Sequence, residues 1–459
     1  MKHKSTSYEM NMTEGPLAPK ILAFTIPVIL SGVLQLAFNT ADLIVVGKCC
    51  GDQSLAAIGS TGSLINLLVN TLIGLAVGTN VLSAKFYGAK KHTELSQTVH
   101  TSILCSIICG LVLAFVGFFA SKEILQMMKT PDDVLPLSIK YVRIYFLGMP
   151  AVFVYNFGSG ILRGVGDTKR PMYYLMISGV LNVLLNLFFV LCLGMDVEGV
   201  AFATIISQYL SGFLVLRCLI NSEGVYKLEI KELKIHKEML RKIVLIGLPA
   251  GLQGSFFSLS NVIIQSSINS FGSTVMTGNA ASSSLEGFIY VIMNSFHQGA
   301  VNFVSQNYGG GKIARIKQSV IYCIAFVTMA SLLAGGLFYI FRVPLLSLYT
   351  DSQASLAYGI KRLSMFCLTY FTCGIMDVMC GCLRGIGKSI SPMIISLCGA
   401  CLFRIIWIFT IFKAFHTLDV LYISYPISWV LTGAVHGLCF VIAFRKIKKE
   451  GLQQQIGQS

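Results

Sequence analysis

The sequence predicts an all-α integral membrane protein, with twelve transmembrane helices in two pseudo-symmetric six-helix bundles. Of its 459 residues, 54% are hydrophobic and only 12% are charged, whereas about 25% of the residues of an average soluble domain are charged. Apolar stretches of roughly 20 residues, each long enough to cross about 30 Å of hydrocarbon, recur along the whole chain. These observations exclude a soluble fold, a disordered chain and a collagen-like chain.

The predicted spans are separated by short polar turns, with one longer charged segment at the centre of the chain. The spans cover 18–46, 54–84, 96–120, 137–162, 171–193, 197–220, 243–269, 275–306, 315–341, 355–383, 392–413 and 419–444. The charged segment, rich in Lys and Glu, is predicted to be a solvated, partly helical linker. The predicted organisation is an N-terminal tail (1–16), an N-lobe (17–220), the linker (221–242), a C-lobe (243–444) and a C-terminal tail (445–459). The N-terminal tail has no cleavable signal pattern, so we expect the first span to be retained.

Basic residues are biased to one side of the predicted topology. With the N-terminus placed inside, the inner connections and the two tails hold 25 of the 35 Lys and Arg residues. Basic residues concentrate on the cytoplasmic side of membrane proteins. We therefore expect both termini to be cytoplasmic, and the net basic charge reflects orientation rather than nucleic-acid binding.

The two halves of the chain resemble each other at an offset near 221. Leu-Arg-Gly-Val-Gly at 162–166 matches Leu-Arg-Gly-Ile-Gly at 383–387, and Pro-Met follows five residues later in both. Pro27 and Pro249 each lie early in the first span of a half, with Asn39 and Asn261 twelve residues on. Internal repeats are typical of secondary transporters. Because each half has an even number of spans, we expect the halves to be related by an axis along the membrane normal and to enclose a central cavity.

Three carboxylates fall within predicted spans: Asp42 in the first, Glu286 in the eighth and Asp377 in the tenth. A charged Asp at mid-bilayer costs about 2.5–3.5 kcal/mol, so such residues face cavities and mark transport pathways. The alternative is a protonated carboxyl that only holds neighbouring helices together. A carboxyl in such a place can load and release a proton, or bind a cation if neutral oxygen ligands lie beside it.

Neutral oxygen ligands are present in the same half. Asn182 and Asn186 lie one turn apart on the fifth span, Thr204 lies in the sixth, and Gln35 lies two turns before Asp42. These side chains either complete a cation site with Asp42 or serve as interhelical hydrogen-bonding groups. Pro27 interrupts the first span and favours a kink, which is either static or sensitive to protonation of Asp42.

The second half does not repeat this chemistry. The counterpart of Asp42 is Ile264, and Asp377 aligns with Asn156. A single site used twice is therefore not expected. Arg404, inside the eleventh span, is expected to pair with a nearby acid or carbonyl, and Asp377 is a candidate.

Catalysis is not supported by any motif. No phosphate-binding loop, no nucleophile with a His and an acid on one span, and no Cys spacing typical of zinc sites or disulfide frameworks occurs. His297 is interpreted as a hydrogen-bonded packing residue. We therefore predict that the protein is not an enzyme and needs no cofactor.

Several motifs resemble the MATE (multidrug and toxic compound extrusion) family. They are Phe-Asn-Thr-Ala-Asp-Leu-Ile-Val-Val-Gly at 38–47, Leu-Ala-Ala-Ile-Gly at 55–59 and the paired turns at 162–166 and 383–387, and the resemblance covers roughly 16–446. It implies a monomeric, multi-pass protein of the bacterial cytoplasmic membrane. Such a protein exports drugs or organic cations by alternating access, in exchange for inward H⁺ or Na⁺.

The resemblance also assigns site residues. It implies cation coupling at Asp42, Asn182, Asn186 and Thr204, with Na⁺ at Asp42 as the one metal considered. The substrate-cavity or supporting residues are Gln35, Asn39, Asn156, Gln253, Glu286 and Asp377. Because some members have an acid where Asn186 stands, and because the stretch 251–257 has none, the choice between H⁺ and Na⁺ stays open.

Three other functions are alternatives to this one. A lipid-linked saccharide flippase of the same superfamily would need a strongly cationic cavity, for which Arg143 and Arg404 are the only intramembrane Arg candidates. An intramembrane enzyme would need catalytic side chains clustered at one membrane face. A channel is disfavoured by the repeated halves and the intramembrane acids.

Overall fold

The computed structural model describes residues 8–128 and 130–456, with only the backbone described at 451–456 and at some positions between 52 and 71. The predicted tail residues 1–7 and 457–459 lie outside this part. The helices of the first half are α1 Leu17–Cys49, α2 Asp52–Gly88, α3 His92–Met127, α4 Leu135–Leu147, α5 Met149–Gly164, α6 Lys169–Leu187 and α7 Val197–Ile220. The helices of the second half are α8 Lys237–Asn269, α9 Ser273–Gly309, α10 Ile313–Ile340, α11 Arg342–Ser347, α12 Gln353–Gly385, α13 Ile390–Ser396, α14 Phe403–Trp407, α15 Lys413–Phe415 and α16 Leu418–Ile456.

Each of the twelve predicted spans falls on a helix or a run of joined helices. Within the described residues, nine segments are long and apolar enough to cross a membrane, and α4 with α5 forms a tenth. The remaining two predicted spans lie on α2 and α9, which are 37 residues long each. The all-α fold class is confirmed.

The fourth predicted span is broken into two helices. α4 and α5 meet at Gly148 with a bend of 45°. Pro150 lies in the first turn of α5. A proline ring has no N–H and collides with the carbonyl four residues earlier, so a continuous helix through Phe146 and Pro150 is disfavoured.

Three π-helical turns interrupt other predicted spans. Phe188–Cys192 follows α6, while Leu397–Leu402 and Ile408–Phe412 lie on either side of α14. π turns insert an extra residue per turn and often occur at functional sites. Hydropathy does not report them, because every residue in these turns remains apolar or small.

The helices pack into two compact units. Unit 1 contains residues 8–11 and Leu30–Gly251, and unit 2 contains Met12–Ile29 and 252–456. The boundary falls inside α1 and α8, two residues after Pro27 and Pro249 respectively. The units therefore differ from the predicted lobes, because the first part of α1 belongs to unit 2 and the first part of α8 to unit 1.

The linker between α7 and α8 is packed against unit 1 rather than simply solvated. Tyr226 and Leu228 are buried. The backbone N–H of Glu229 donates to His100 Nε2 at 3.0 Å, and that of His236 donates to Thr101 Oγ1 at 3.1 Å. Only Ile230–Glu232 is helical within it.

The predicted C-terminal tail begins within a helix. α16 continues from the last predicted span to Ile456.

Candidate functional site

Asp42 lies in a chain of hydrogen-bonded side chains in unit 1. Asn186 Nδ2 donates to Asp42 Oδ1 at 2.5 Å and to Asn182 Oδ1 at 3.5 Å. Asn182 Nδ2 donates to Thr204 Oγ1 at 3.5 Å, and Thr204 donates to the Val200 carbonyl. The structure thus brings together one carboxylate from α1, two amides from α6 and one hydroxyl from α7.

The local fold explains this grouping. Asn182 and Asn186 are four residues apart and therefore share one face of α6, and both are buried. Asp42 is half-buried, and among the described residues no Lys or Arg forms an ion pair with it. Asn186 Oδ1 is buried and has no hydrogen-bond partner among the described side chains. The site therefore holds an uncompensated carboxylate beside an unused amide oxygen.

The remaining predicted residues of the first half lie outside this chain. Gln35 and Asn39 are exposed on α1 and make no hydrogen bond among the described residues. Asn156 Nδ2 donates to the Val152 carbonyl one turn earlier on α5, at 2.8 Å. Pro27 is buried in unit 2, and α1 is continuous through it.

Glu286 lies in a different polar cluster, in unit 2. Arg362 donates from Nε to Glu286 Oε1 and from Nη2 to Oε2, both at 2.8 Å. Ser282 donates to Glu286 Oε1 at 2.8 Å, and Arg362 Nη1 donates to Asn279 Oδ1 at 2.6 Å. Glu286 and Arg362 are both buried. The charge of Glu286 is thus neutralised by a bidentate ion pair, which suits a supporting role better than ion loading.

Arg404 was expected to pair with a nearby acid or carbonyl, with Asp377 as a candidate, but its partners are a hydroxyl and two aromatic rings. Arg404 Nε donates to Ser428 Oγ at 2.8 Å, and the guanidinium lies 4.2 Å from the ring centre of Tyr425 and 5.7 Å from that of Trp429. Aromatic faces stabilise a cation electrostatically. Two rings and a hydroxyl therefore replace the expected acid.

Asp377 and Gln253 lie near Arg384, a third arginine of unit 2. Arg384 Nη2 donates to Gln253 Oε1 at 2.8 Å, and Gln253 Nε2 donates to Ser396 Oγ at 3.1 Å. His297 Nδ1 lies 2.6 Å from the Asp377 carbonyl oxygen, and His297 Nε2 lies 3.4 Å from Arg384 Nη1. His297 therefore has the hydrogen-bonded packing environment that was predicted for it. The Asp377 carboxylate is half-buried and makes no ion pair among the described side chains.

The sequence analysis missed Arg362, Asn279 and Arg384 as partners of the predicted polar residues. A signal for Arg362 was available, because an intramembrane acid such as Glu286 needs a counter-charge. The partner could not be chosen, because Glu286 and Arg362 are 76 residues apart.

The chain is similar in sequence and in fold to several known proteins. The MatE family model matches residues 27–188 and 249–410. A Bacillus subtilis (strain 168) protein named "Probable multidrug resistance protein YoeA" is 30% identical, over 85% of this chain and 87% of that protein. A Shewanella oneidensis protein named "FAD transporter" is 22% identical, over 84% of this chain and 86% of that protein. A solved structure described as the outward-facing conformation of a multidrug resistance MATE family transporter has a TM-score of 0.91 and 22% identity, and covers 97% of this chain and 100% of that one.

Proposed function

Because the chain belongs to the MATE family of multidrug efflux transporters, we propose that it is a secondary active antiporter. It exports organic, often cationic, compounds by alternating access, driven by inward movement of H⁺ or Na⁺ through Asp42. The observation that carries the proposal is the hydrogen-bonded chain of Asp42, Asn186, Asn182 and Thr204 in unit 1.

The electrostatics of Asp42 support its coupling role. A charged carboxylate in a membrane protein interior is costly unless a cation neutralises it. Arg362 supplies that cation for Glu286, whereas the partner of Asp42 among the described side chains is the neutral amide of Asn186. Binding of H⁺ or Na⁺ would therefore change the free energy of the Asp42 site far more than that of Glu286.

The arrangement of donors around Asp42 disfavours Na⁺, and on that ground we propose H⁺ as the coupling ion. Asn186 presents its N–H group to Asp42 and to Asn182, so the carboxylate faces a donor rather than an oxygen ligand. Na⁺ is a hard cation that is held by oxygen atoms. Na⁺ binding would require Asn186 to turn its unused Oδ1 toward Asp42.

The proposed orientation places both termini in the cytoplasm of a bacterial cell, as the basic residues of the connections and tails predict.

The proposed substrate class is supported by the 30% identical relative, whose name refers to multidrug resistance. The relative named for FAD is less similar, at 22% identity. We propose that the protein acts as a monomer.

The test is export of a fluorescent organic cation from reconstituted vesicles, under an imposed pH gradient or an imposed Na⁺ gradient. We expect the pH gradient to drive export by the parent, and Asp42→Asn to fold normally but lose driven export. Asp419→Asn is the matched control, because Asp419 is exposed and pairs with Lys361. Driven export by Asp42→Asn equal to that of the parent would contradict the proposed site.

The same experiment addresses the flippase alternative. Both arginines that were candidates for such a cavity are hydrogen-bonded within the protein, Arg143 to the Phe118 carbonyl and Arg404 to Ser428 Oγ. No observation therefore favours a strongly cationic cavity. Absence of export under both gradients, with folded protein confirmed, would favour the flippase.

A further inference from the structure

A cavity of about 290 Å³ lies in unit 1 where α6 begins and α7 ends. It is lined by Arg170, Tyr174, Leu214, Arg217, Cys218 and Asn221. Two guanidinium groups and a phenol thus face one small space at the ends of two spans. This cavity is separate from the Asp42 chain, which lies farther along α6.

Arg170 is held in place by neighbouring groups. Its guanidinium forms an ion pair with Asp167 and donates to the Tyr226 hydroxyl at 3.0 Å. Tyr226 in turn donates to Glu9 Oε1 at 3.0 Å. The Tyr8 ring lies 5.4 Å from the Arg170 guanidinium. Asp167 therefore balances the charge of Arg170, and the network fixes its position at the cavity wall.

Arg217 supplies the uncompensated charge of the cavity. It is exposed on the last turn of α7 and forms no ion pair with any described acid. A planar guanidinium matches the oxygen atoms of a phosphate group better than an ammonium does. A preset Arg170 and a free Arg217 therefore make a site suited to a phosphate group.

Apolar side chains border this charged cavity on both helices. Ile177 on α6 is 49% exposed, and Phe213 on α7 is 58% exposed. Ile177 lies about one turn beyond Tyr174, and Phe213 lies one turn before Arg217, so both continue the helix faces that line the cavity. A ligand with a phosphate group and attached hydrocarbon chains fits this arrangement, with the phosphate at the arginines and the chains against the apolar side chains.

We propose that this cavity binds the phosphate of an anionic phospholipid, with the acyl chains lying along Ile177 and Phe213. Basic pockets between membrane helices are a known way to hold such head groups. The second half does not repeat the site. At the repeat offset of 221, Ser391 stands for Arg170 and Leu438 for Arg217. The proposal does not rest on export, since it concerns binding alone.

The test is a titration of delipidated full-length protein with phosphatidylglycerol, phosphatidylcholine or inorganic phosphate, followed by native mass spectrometry. We expect the parent to prefer phosphatidylglycerol. Arg217→Gln removes the free charge, and Leu214→Trp fills the cavity without changing charge. Arg217→Gln is expected to weaken phosphatidylglycerol binding about tenfold, the effect of one charge-assisted hydrogen bond. Leu214→Trp is expected to weaken it as well, because the indole ring takes the space of the phosphate.

Arg241→Gln is the matched control, because Arg241 is exposed, carries the same charge and lies outside the cavity. We expect it to bind the lipid as the parent does. Equal binding by the parent, Arg217→Gln and Leu214→Trp would overturn the proposal. If inorganic phosphate binds to the site as strongly as phosphatidylglycerol does, the site would belong to a soluble anion. That result would contradict the proposal that the phosphate comes from a lipid.

Discussion

The three carboxylates within the spans have different partners. Glu286 is neutralised by Arg362, Asp42 is bonded to Asn186, and Asp377 has a half-buried carboxylate without an ion pair among the described residues. A carboxylate thus has an environment suited to a structural role at Glu286 and, under the proposed function, one suited to accepting an ion at Asp42. The partner, rather than the acid itself, decides which of these roles is available.

Substitution of Asn186 tests the hydrogen bond to Asp42. We expect Asn186→Ala to slow pH-driven export about tenfold or more, because a hydrogen bond to a charged group is worth about 1.5–3 kcal/mol. The measurement is the initial rate of export from vesicles with equal amounts of folded protein. Asn261→Ala is the control, because Asn261 is exposed on α8 and has no part in the proposed sites. Equal rates for the two variants would remove Asn186 from the site.

The Glu286–Arg362 pair makes a prediction about stability. We expect Glu286→Gln or Arg362→Met to reduce the free energy of unfolding by about 3–5 kcal/mol, because each leaves a buried charge without its partner. The double variant should recover most of the loss. The measurement is thermal unfolding in detergent.

The neighbouring ion pair provides the control for that experiment. Lys361 lies beside Arg362 in sequence and pairs with Asp419 at 2.7 Å on the surface. An exposed pair contributes about 0–1 kcal/mol, so Lys361→Gln should barely change the unfolding temperature. Single variants of the buried pair that unfold at the same temperature as Lys361→Gln would show that the pair is not stabilising.

At the scale of helices, interruptions lie next to the polar sites. Asn186 lies just before the π turn at Phe188–Cys192, and Arg404 lies on α14 between two π turns. A π turn widens the helix and redirects the side chains that flank it. The end of α6 and the segment after α14 correspond to each other in the repeat. Both are therefore interrupted by a π turn, although their polar residues differ.

Close contact between helices depends on glycine at particular positions. A Cβ added at Gly335 on α10 would lie 2.3 Å from the Cys367 carbonyl oxygen of α12, whereas one added at Gly336 would meet nothing within 4 Å. Small residues allow membrane helices to approach closely. The two adjacent glycines thus form a matched pair for a test of this packing.

We expect Gly335→Val to lower the free energy of unfolding by about 1–3 kcal/mol, because overpacking forces α10 and α12 apart. Gly336→Val should leave stability close to that of the parent. The measurement is the fraction of monodisperse protein after heating in detergent. If Gly336→Val is as damaging as Gly335→Val, helix propensity rather than interhelical packing is responsible.

At the scale of the whole chain, the two halves share a helical plan but not their chemistry. The repeat offset of the family match places Arg404 at the position of Asn182 and Ile264 at that of Asp42. A cation against aromatic rings thus stands in unit 2 where an amide of the carboxylate site stands in unit 1. The repeat therefore specifies backbone architecture, while each half has its own polar groups.

This asymmetry predicts that the acid cannot be moved between halves. We expect Asp42→Asn with Ile264→Asp to remain without driven export, because unit 2 lacks the amide partners of α6. The measurement is vesicle export under a pH gradient, with Ile264→Asp alone as the control for folding. Restored export in the double variant would show that position alone, without the amide partners, is enough for coupling.

The sequence by itself determined the fold class, the number of spans and the repeat. Hydropathy and repeated motifs are properties of local segments, so tertiary contacts are not needed to read them. The same local reasoning placed Asp42, Asn182, Asn186 and Thr204 on named spans, although their role in coupling stays a prediction. Boundaries at Gly148 and within α16 were missed, since helix bending and helix extension change hydropathy little.

Only the tertiary structure decided which polar groups meet. Glu286 pairs with Arg362, and Arg404 with Ser428 and two rings rather than with Asp377. The tertiary structure also decided that the linker packs on unit 1 and that α1 and α8 each contribute to both units. These pairings depend on distances between helices that are far apart in sequence, and several buried partners of suitable charge or polarity were available for each group. Their geometry, rather than their composition, selects among them.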